Sequence, residues 1–515
     1  MDLPIVAAAL LLPWMLGSTM LGALRSPSRA PDAPGEIAWL AGAGWFVGAF
    51  ALTLWMRVLS LAGVRFGLAA VALPLLAVAL VLAALTWRRD GRRVVAAKLA
   101  AFHALVASPG LAGAARAVWW AAIAWLALRF ALLALEVAWR PLYPWDAWIQ
   151  WATKARVWYE FGLLAPFARS AEWFAGGGKL FFDASPEYPP TVPLWQVWMS
   201  LTLGRFDDAL MNAPWWMTAV MLTVAVYGAV RRLGQGPLAA LAAAALVATL
   251  PLANVHVALA GYADLPLAAY YTVGTLAFVQ WATAARADSA AVGRDWRDAA
   301  VALLLLAACT QIKNPGLAWV LTLAPGLAVA LWPRHGLKLA AAGFVAAAIA
   351  LALLAQAHPV VFNYRLHLDF EPDWAALGQS YFLLGNWNLL WYGAIVVIAL
   401  AWRQLLSPAL AAYTLTIAAG VLFLFIVFGF TNARAWVTDQ TTVNRATLHF
   451  APLVAVWMVL AFNAFAARWR EAHPSLDVAG VAAAPAAAGQ AGEPPASAAA
   501  TGSDAAIPPA APAAG

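Results

Sequence analysis

The chain is poor in charge. Asp, Glu, Lys and Arg make up only 11% of its 515 residues, while 64% are hydrophobic. Water-soluble globular chains carry about 25% charged and about 45–50% apolar residues. The deficit excludes a soluble enzyme with a single core, and the apolar excess excludes a wholly disordered chain. Cysteine is nearly absent. The lone Cys309 excludes an intramolecular disulfide framework and a cysteine-based zinc cluster. The seven histidines form no HxxxH or HExxH pair, so no metal site is expected. There is no P-loop and no Rossmann glycine fingerprint, which argues against ATP-driven transport, and no cofactor is expected. The formal net charge of +7 is scattered through short loops and forms no stripe, so nucleic acid is disfavoured as a partner.

Long apolar runs are what the chain has in abundance, and they need lipid as a solvent. They occupy about 3–24, 37–61, 68–86, 117–138, 213–230, 237–258, 264–285, 315–332, 338–357, 408–430 and 448–467, with shorter runs near 191–204, 299–312 and 389–402. The first run has no basic leader and is too long for a signal-peptide core, so it reads as a retained membrane helix. Basic residues orient the rest. Segment 87–116 holds Arg88, Arg89, Arg92, Arg93, Lys98 and Arg116. Arg231 and Arg232, then Arg286, Arg294 and Arg297, then Arg334 and Lys338, then Arg403, then Arg468 and Arg470 follow. All fall on the cytoplasmic side if 191–204 does not cross. Fourteen helical residues reach about 21 Å, against a hydrocarbon core of roughly 30 Å. A re-entrant or surface helix is therefore expected there.

The expected fold is all-α: a polytopic transmembrane bundle of about thirteen helices in the cytoplasmic (inner) membrane, with the N-terminus outside and the C-terminus inside. Segments 139–212, 358–388 and 431–447 then lie outside, and 139–212 carries interfacial helices. Residues 1–116 read as N-terminal transmembrane helices plus a basic cytoplasmic loop, added ahead of a larger membrane module over 117–467. The Ala/Pro-rich tail, 474–515, has no aromatic residue and is expected to be disordered.

Five places outside the apolar runs invite a chemical reading. Asp146 follows a membrane helix and sits among Trp145, Trp148, Trp151 and Trp158. A carboxylate at that depth is costly to desolvate without a partner or a task. On an α-helix Gln150 and Lys154 would share its face, giving a base at one end of a site and a phosphate-holding cation at the other. The plainer alternative is a Trp belt with an N-capping Asp and a snorkelling Lys. Glu187 and Tyr188 stand among Pro186, Pro189 and Pro190, whose fixed geometry aims them at the membrane face or makes a solvated turn. Asp264 heads an inward-running helix with Pro266 in its first turn, as a cap or a catalytic acid. Lys313 breaks an apolar stretch in Lys313-Asn314-Pro315-Gly316, as an anion ligand or a snorkelling end. Asn444-Arg445 precedes the last helix on the outer side, against the inside bias, and Arg suits bidentate capture of phosphate.

In order and in membrane side, these elements resemble the GT-C class of polytopic membrane glycosyltransferases, which includes the protein mannosyltransferases and the lipid A aminoarabinose transferases. Asp146 looks like the acidic residue of that class's long outer loop, with Ala147 where relatives often carry a second acid. Glu187-Tyr188-Pro189-Pro190-Thr191-Val192-Pro193-Leu194 looks like its Pro-Pro-Leu segment. Asp264, Lys313-Asn314-Pro315-Gly316 and Asn444-Arg445 match its later acid, its lysine element and its terminal Asn-Arg pair. The resemblance covers about 117–467. It implies transfer of a sugar from a polyprenyl-phosphate donor, with inversion, to a glycan, lipid or protein acceptor at the periplasmic or exterior face. It further implies Asp146 as base, Asp264 as an orienting acid, and Lys154, Lys313 and Arg445 around the departing phosphate. The competing reading is a transporter or flippase of lipid-linked sugars. That reading calls for internal repeats and midplane polar groups, and little of either is seen.

Overall fold

The computed structural model describes residues 2–26, 29–177, 179–284, 295–361, 364–367 and 369–474. Arg286, Arg294 and the tail beyond 474 lie outside them. Among the described residues nearly everything is helical. The strands are two short pairs, Phe167–Ala168 parallel to Phe181–Phe182 and Val360–Val361 antiparallel to Tyr364–Arg365. An all-α membrane protein is what the apolar runs require, since helices satisfy every backbone group without water.

Among the described residues, eight helices are long and apolar enough to cross a membrane. They are Asp2–Leu24, Glu36–Leu61, Leu68–Val106, Gly113–Trp139, Ala213–Arg232, Gly336–Ala355, Ala411–Phe430 and Ala451–Ala472. A ninth arises if Pro237–Ala248 and Pro251–Ala258, bent by 57°, form one span. The bend follows from Pro251, which removes a backbone donor and forces Leu250 into an extended conformation. Length and composition thus support eight or nine crossings, where thirteen were expected. The other expected runs are short or polar. Gly316–Leu331 and Leu390–Ala401 fall below the roughly 20 residues a crossing needs, and so does Trp296–Thr310. Asp264–Ala284 is long enough, but it buries Asp264, Thr272, Thr275 and Gln280 inside the bundle.

Two expectations need correction. The basic segment is not a loop up to 116: the helix that starts at Leu68 continues unbroken to Val106, 39 residues and about 58 Å. Its Arg, Lys, Ala and Leu content favours helix over loop. Of the two expectations for 191–204, a re-entrant or a surface helix, the surface one fails. Thr191–Leu203 is buried along eleven of its thirteen residues. Its Trp195 and Trp198 indoles donate to the carbonyls of Ala49 (3.2 Å) and Ala9 (2.9 Å). Satisfying both N–H groups lets two tryptophans sit in the core instead of at an interface.

Residues Met1–Arg468 form one compact unit. The first two helices cross closely because a Cβ at Gly17 or Gly48 would overlap backbone atoms of the facing helix. Asp264–Ala284 packs antiparallel on Trp296–Thr310, with Gly274 against Leu305 and Leu306. That pairing puts Asp264 and Lys313 at one end, while Ala284 and Trp296 mark the other.

Candidate functional site

The site begins with a glycine. Gly261 has φ +107, and a Cβ there would lie 2.7 Å from the Ala147 side chain. Only glycine lets the 261 turn approach the 147 turn this closely. The approach brings Asp264 and Asp146 to one place although 118 residues separate them in sequence.

Asp264 opens its helix fully buried and saturated with donors. Its Oδ1 accepts from Lys313 Nζ (2.6 Å) and faces His449 Nε2 (2.9 Å). Its Oδ2 accepts from Arg445 Nε (3.1 Å) and Nη2 (2.9 Å). The histidine tautomer follows from its other neighbour. Trp319 Nε1 lies 2.9 Å from His449 Nδ1. An indole N–H can only donate, so Nδ1 is the acceptor, and the neutral ring carries its proton on Nε2, pointed at Asp264. A carboxylate offers about four lone-pair sites, and here all four are occupied. Asp264 is an anchor for two cations and has no free lone pair for a proton.

Arg445 is shared. Its Nη2 also reaches Asp146 Oδ2 at 2.7 Å, and its guanidinium lies 4.5 Å from the centroid of the Tyr262 ring. The Asp146 side chain is 32% exposed and Asp264 fully buried, so of the two acids Asp146 is the one a ligand can touch. Two carboxylates face two cations, and the cluster is neutral overall.

These residues close the polar end of a cavity of about 510 Å³. Asp146, Gln150, Tyr188, Lys313, Tyr364 and Arg445 line that end. The remaining wall is apolar, from Leu317 and Leu321, Leu351 and Leu354, and Phe423 and Val427 on three separate helices. The Gly336–Ala355 helix packs chiefly on Ala324–Leu331 and is otherwise exposed, which leaves a slot between it and Ala411–Phe430. The cavity is amphiphilic: charged at one end, greasy along its length.

Asp146, Tyr188, Asp264, Lys313 and Arg445 therefore converge. Lys154, Glu187 and Asn444 do not. Residues 147–152 form a π-helical turn before the α-helix Thr153–Phe161 starts. Lys154 lies in that second helix, eight residues and about two turns beyond Asp146, and does not reach the cavity. It points inward instead, buried, with its Nζ 3.4 Å from Asp183 and donating to the Ser185 carbonyl at 2.9 Å. Burial pushes the Lys154 ammonium down and the Asp183 carboxyl up from their ordinary ranges. The pair fixes segment 183–188, so that Tyr188 rests edge-on against Trp151 (5.2 Å) at the cavity wall. Replacing Lys154 by Met leaves a buried carboxylate alone and should cost about 3–5 kcal/mol, read as a lower unfolding midpoint of the detergent-solubilised protein.

Glu187 pairs with Arg169 at 3.1 Å on the surface. Glu187→Gln should change stability by no more than about 1 kcal/mol, which the same unfolding assay checks. Asn444 accepts from the Trp387 indole (3.2 Å) and donates to the Gln440 carbonyl (2.5 Å). It is a buried brace behind Arg445. Sequence reasoning missed His449, Trp319 and Tyr364. The spacing of His449, four residues after Arg445, was the available signal, since it puts both on one face. Among the described residues no three His, Cys, Asp or Glu side chains gather as metal ligands would.

Compared with known protein families, with curated proteins and with solved structures, the chain finds no match.

Proposed function

We propose that the chain is a membrane glycosyltransferase of the GT-C kind. It moves a sugar from a polyprenyl-phosphate donor to an acceptor hydroxyl at the outer face of the cytoplasmic membrane. The observation that carries this reading is the amphiphilic cavity, with Lys313 and Arg445 held by Asp264 at its polar end and a lipid-sized apolar slot leading away. A polyprenyl phosphate has the same two-part character. In this reading the shorter helices complete the crossings, and the cavity opens on the side opposite the Arg-rich ends of Ala213–Arg232 and Trp296–Thr310.

The chemistry follows from the groups present. The donor phosphate docks on Lys313 and Arg445, drawing Arg445 away from Asp146. The freed Asp146 carboxylate takes the acceptor hydroxyl proton as that oxygen attacks the anomeric carbon from the face opposite the phosphate. The bond from the anomeric carbon to the phosphate oxygen breaks, and its electron pair leaves with the phosphate. Negative charge grows there, and the two pre-held cations stabilise it. The configuration inverts. Trp151 and Tyr188 supply aromatic surface beside the sugar.

The test uses the purified protein in liposomes with a polyprenyl-phosphate sugar labelled in the sugar, plus a cell-envelope extract as acceptor source. Label should pass to the acceptor while polyprenyl phosphate accumulates, and Lys313→Met should reduce both. Label that crosses the bilayer still attached to its lipid would favour a flippase and end the transferase reading. Sidedness has its own check, a reporter fused after Leu203. An exterior signal is expected, and a cytoplasmic one would reverse every later loop.

A further inference from the structure

At the end of the bundle away from the amphiphilic cavity, three helix termini meet: the start of Glu36–Leu61, the end of Ala213–Arg232 and the start of Trp296–Thr310. A second cavity of about 270 Å³ lies there, walled by Arg29, Arg231, Arg232, Pro34, Gly234 and Gln235. The charges around it do not balance. Arg29 reaches Asp298 through both terminal nitrogens at 3.1 Å, and Arg232 shares that carboxylate at 3.0 Å. Arg232 Nε lies 3.4 Å from Glu36 Oε2, yet neither atom has a hydrogen-bond partner, although both are buried. Arg231 meets no carboxylate among the described residues, and its Nη1 donates to the Gln235 carbonyl at 2.7 Å. Three guanidinium groups thus face two acids.

Helix dipoles account for part of this. Acids suit the starts of two helices and an arginine suits the end of the third, which explains Glu36, Asp298 and Arg232. Arg231 shares that last turn with Arg232, but unlike Arg232 and Arg29 it has no carboxylate to meet among the described residues. Gly234, at φ +82, folds the chain back so that Gln235 N–H bonds the Val230 carbonyl at 3.2 Å, and this closes the pocket wall under Arg231. A concave site walled by three guanidinium groups, one of them without a carboxylate partner among the described residues, fits an oxyanion. Arginine's planar fork matches phosphate oxygens two at a time, and basic pockets between membrane helices accept phospholipid headgroups.

We infer that this cavity binds a phosphate group, supplied by an anionic phospholipid headgroup at the membrane rim or by a free phosphoester. The bound phosphate ties the Arg29 segment to the ends of the helices carrying Arg231 and Asp298. The inference does not depend on what the amphiphilic cavity does.

The experiment reconstitutes the full chain in nanodiscs of phosphatidylcholine, with and without phosphatidylglycerol. It follows the unfolding midpoint and, by native mass spectrometry, the lipid retained. Phosphatidylglycerol should raise the midpoint and stay bound to the wild type, and Arg231→Gln should bind it about ten-fold less tightly, as expected for one lost charge-assisted contact. Lys98→Gln, a basic residue elsewhere, should behave as wild type. Inorganic phosphate added to phosphatidylcholine discs separates the sources: a rise in the midpoint with phosphate alone, lost in Arg231→Gln, assigns the site to a free phosphoester. If neither probe shifts the wild type, or if Arg231→Gln responds to both as the wild type does, the inference is overturned. Should Arg231→Gln not fold, lipid retention by the wild type decides, and failure to retain phosphatidylglycerol over phosphatidylcholine, with no phosphate response, is equally fatal.

Discussion

On the proposed mechanism, Asp146→Asn should insert and fold like the parent and transfer sugar about 10²- to 10⁴-fold more slowly, the usual loss when a general base is removed. The side chain is partly exposed and its ion partner is Arg445, which keeps its bonds to Asp264. Removing one half-exposed pair should cost no more than about 1 kcal/mol, so folding is spared. Asparagine keeps the shape and loses the basicity. Initial rates with a labelled polyprenyl-phosphate sugar, normalised to folded protein by size-exclusion, measure the effect. Wild-type rates from Asp146→Asn would remove Asp146 from the mechanism.

Asp264→Asn should do something different in kind. It strips the anchor from Lys313, whose side chain is nearly buried, and from one edge of Arg445. An uncompensated buried charge costs about 3–5 kcal/mol, so the unfolding midpoint should fall sharply and transfer should vanish with it. The double variant Asp264→Asn with Lys313→Met removes the stranded charge. It should regain much of the stability, with a coupling within the roughly 0.5–3 kcal/mol seen for directly interacting residues, while transfer stays low because Lys313 is gone and Arg445 has lost its Asp264 anchor. Equal destabilisation in the single and double variants would show that Lys313 does not depend on Asp264.

Much of the cavity's charged end was legible because ionisable residues in an apolar chain are conspicuous. Asp146, Asp264, Lys313 and Arg445 each stand at or near the end of an apolar run, where an ionisable group carries a cost that needs a partner. The partners turned out to be one another. Lys154 and Glu187 looked equivalent in sequence, yet each is neutralised by a residue that only three dimensions bring near, Asp183 and Arg169. The π-helical turn at 147–152 has no sequence signature, and the partners that hold Lys154 away from the cavity, Asp183 and the Ser185 carbonyl, come from a segment about 30 residues further on. Trp319 carried no signal, and His449 only its spacing from Arg445, because a single His or Trp in a helix is most often plain core. What gives them meaning is the chain of hydrogen bonds from indole to imidazole to Asp264. The helix count was overestimated for a related reason. Apolar composition marks what is kept from water and does not separate a lipid-facing span from a helix sealed inside protein, such as Asp264–Ala284.

The account depends on one claim: the charged end and the apolar slot hold a single amphiphile, with its phosphate on Lys313 and Arg445. A photoreactive polyprenyl phosphate, cross-linked in membranes and mapped by peptide mass spectrometry, tests it most directly. Label should fall on segments 313–321, 351–354 and 423–428, should be competed by unlabelled polyprenyl phosphate, and should drop in Lys313→Met. Label scattered over the outer helices without competition, or confined to segments away from this cavity, would contradict the account.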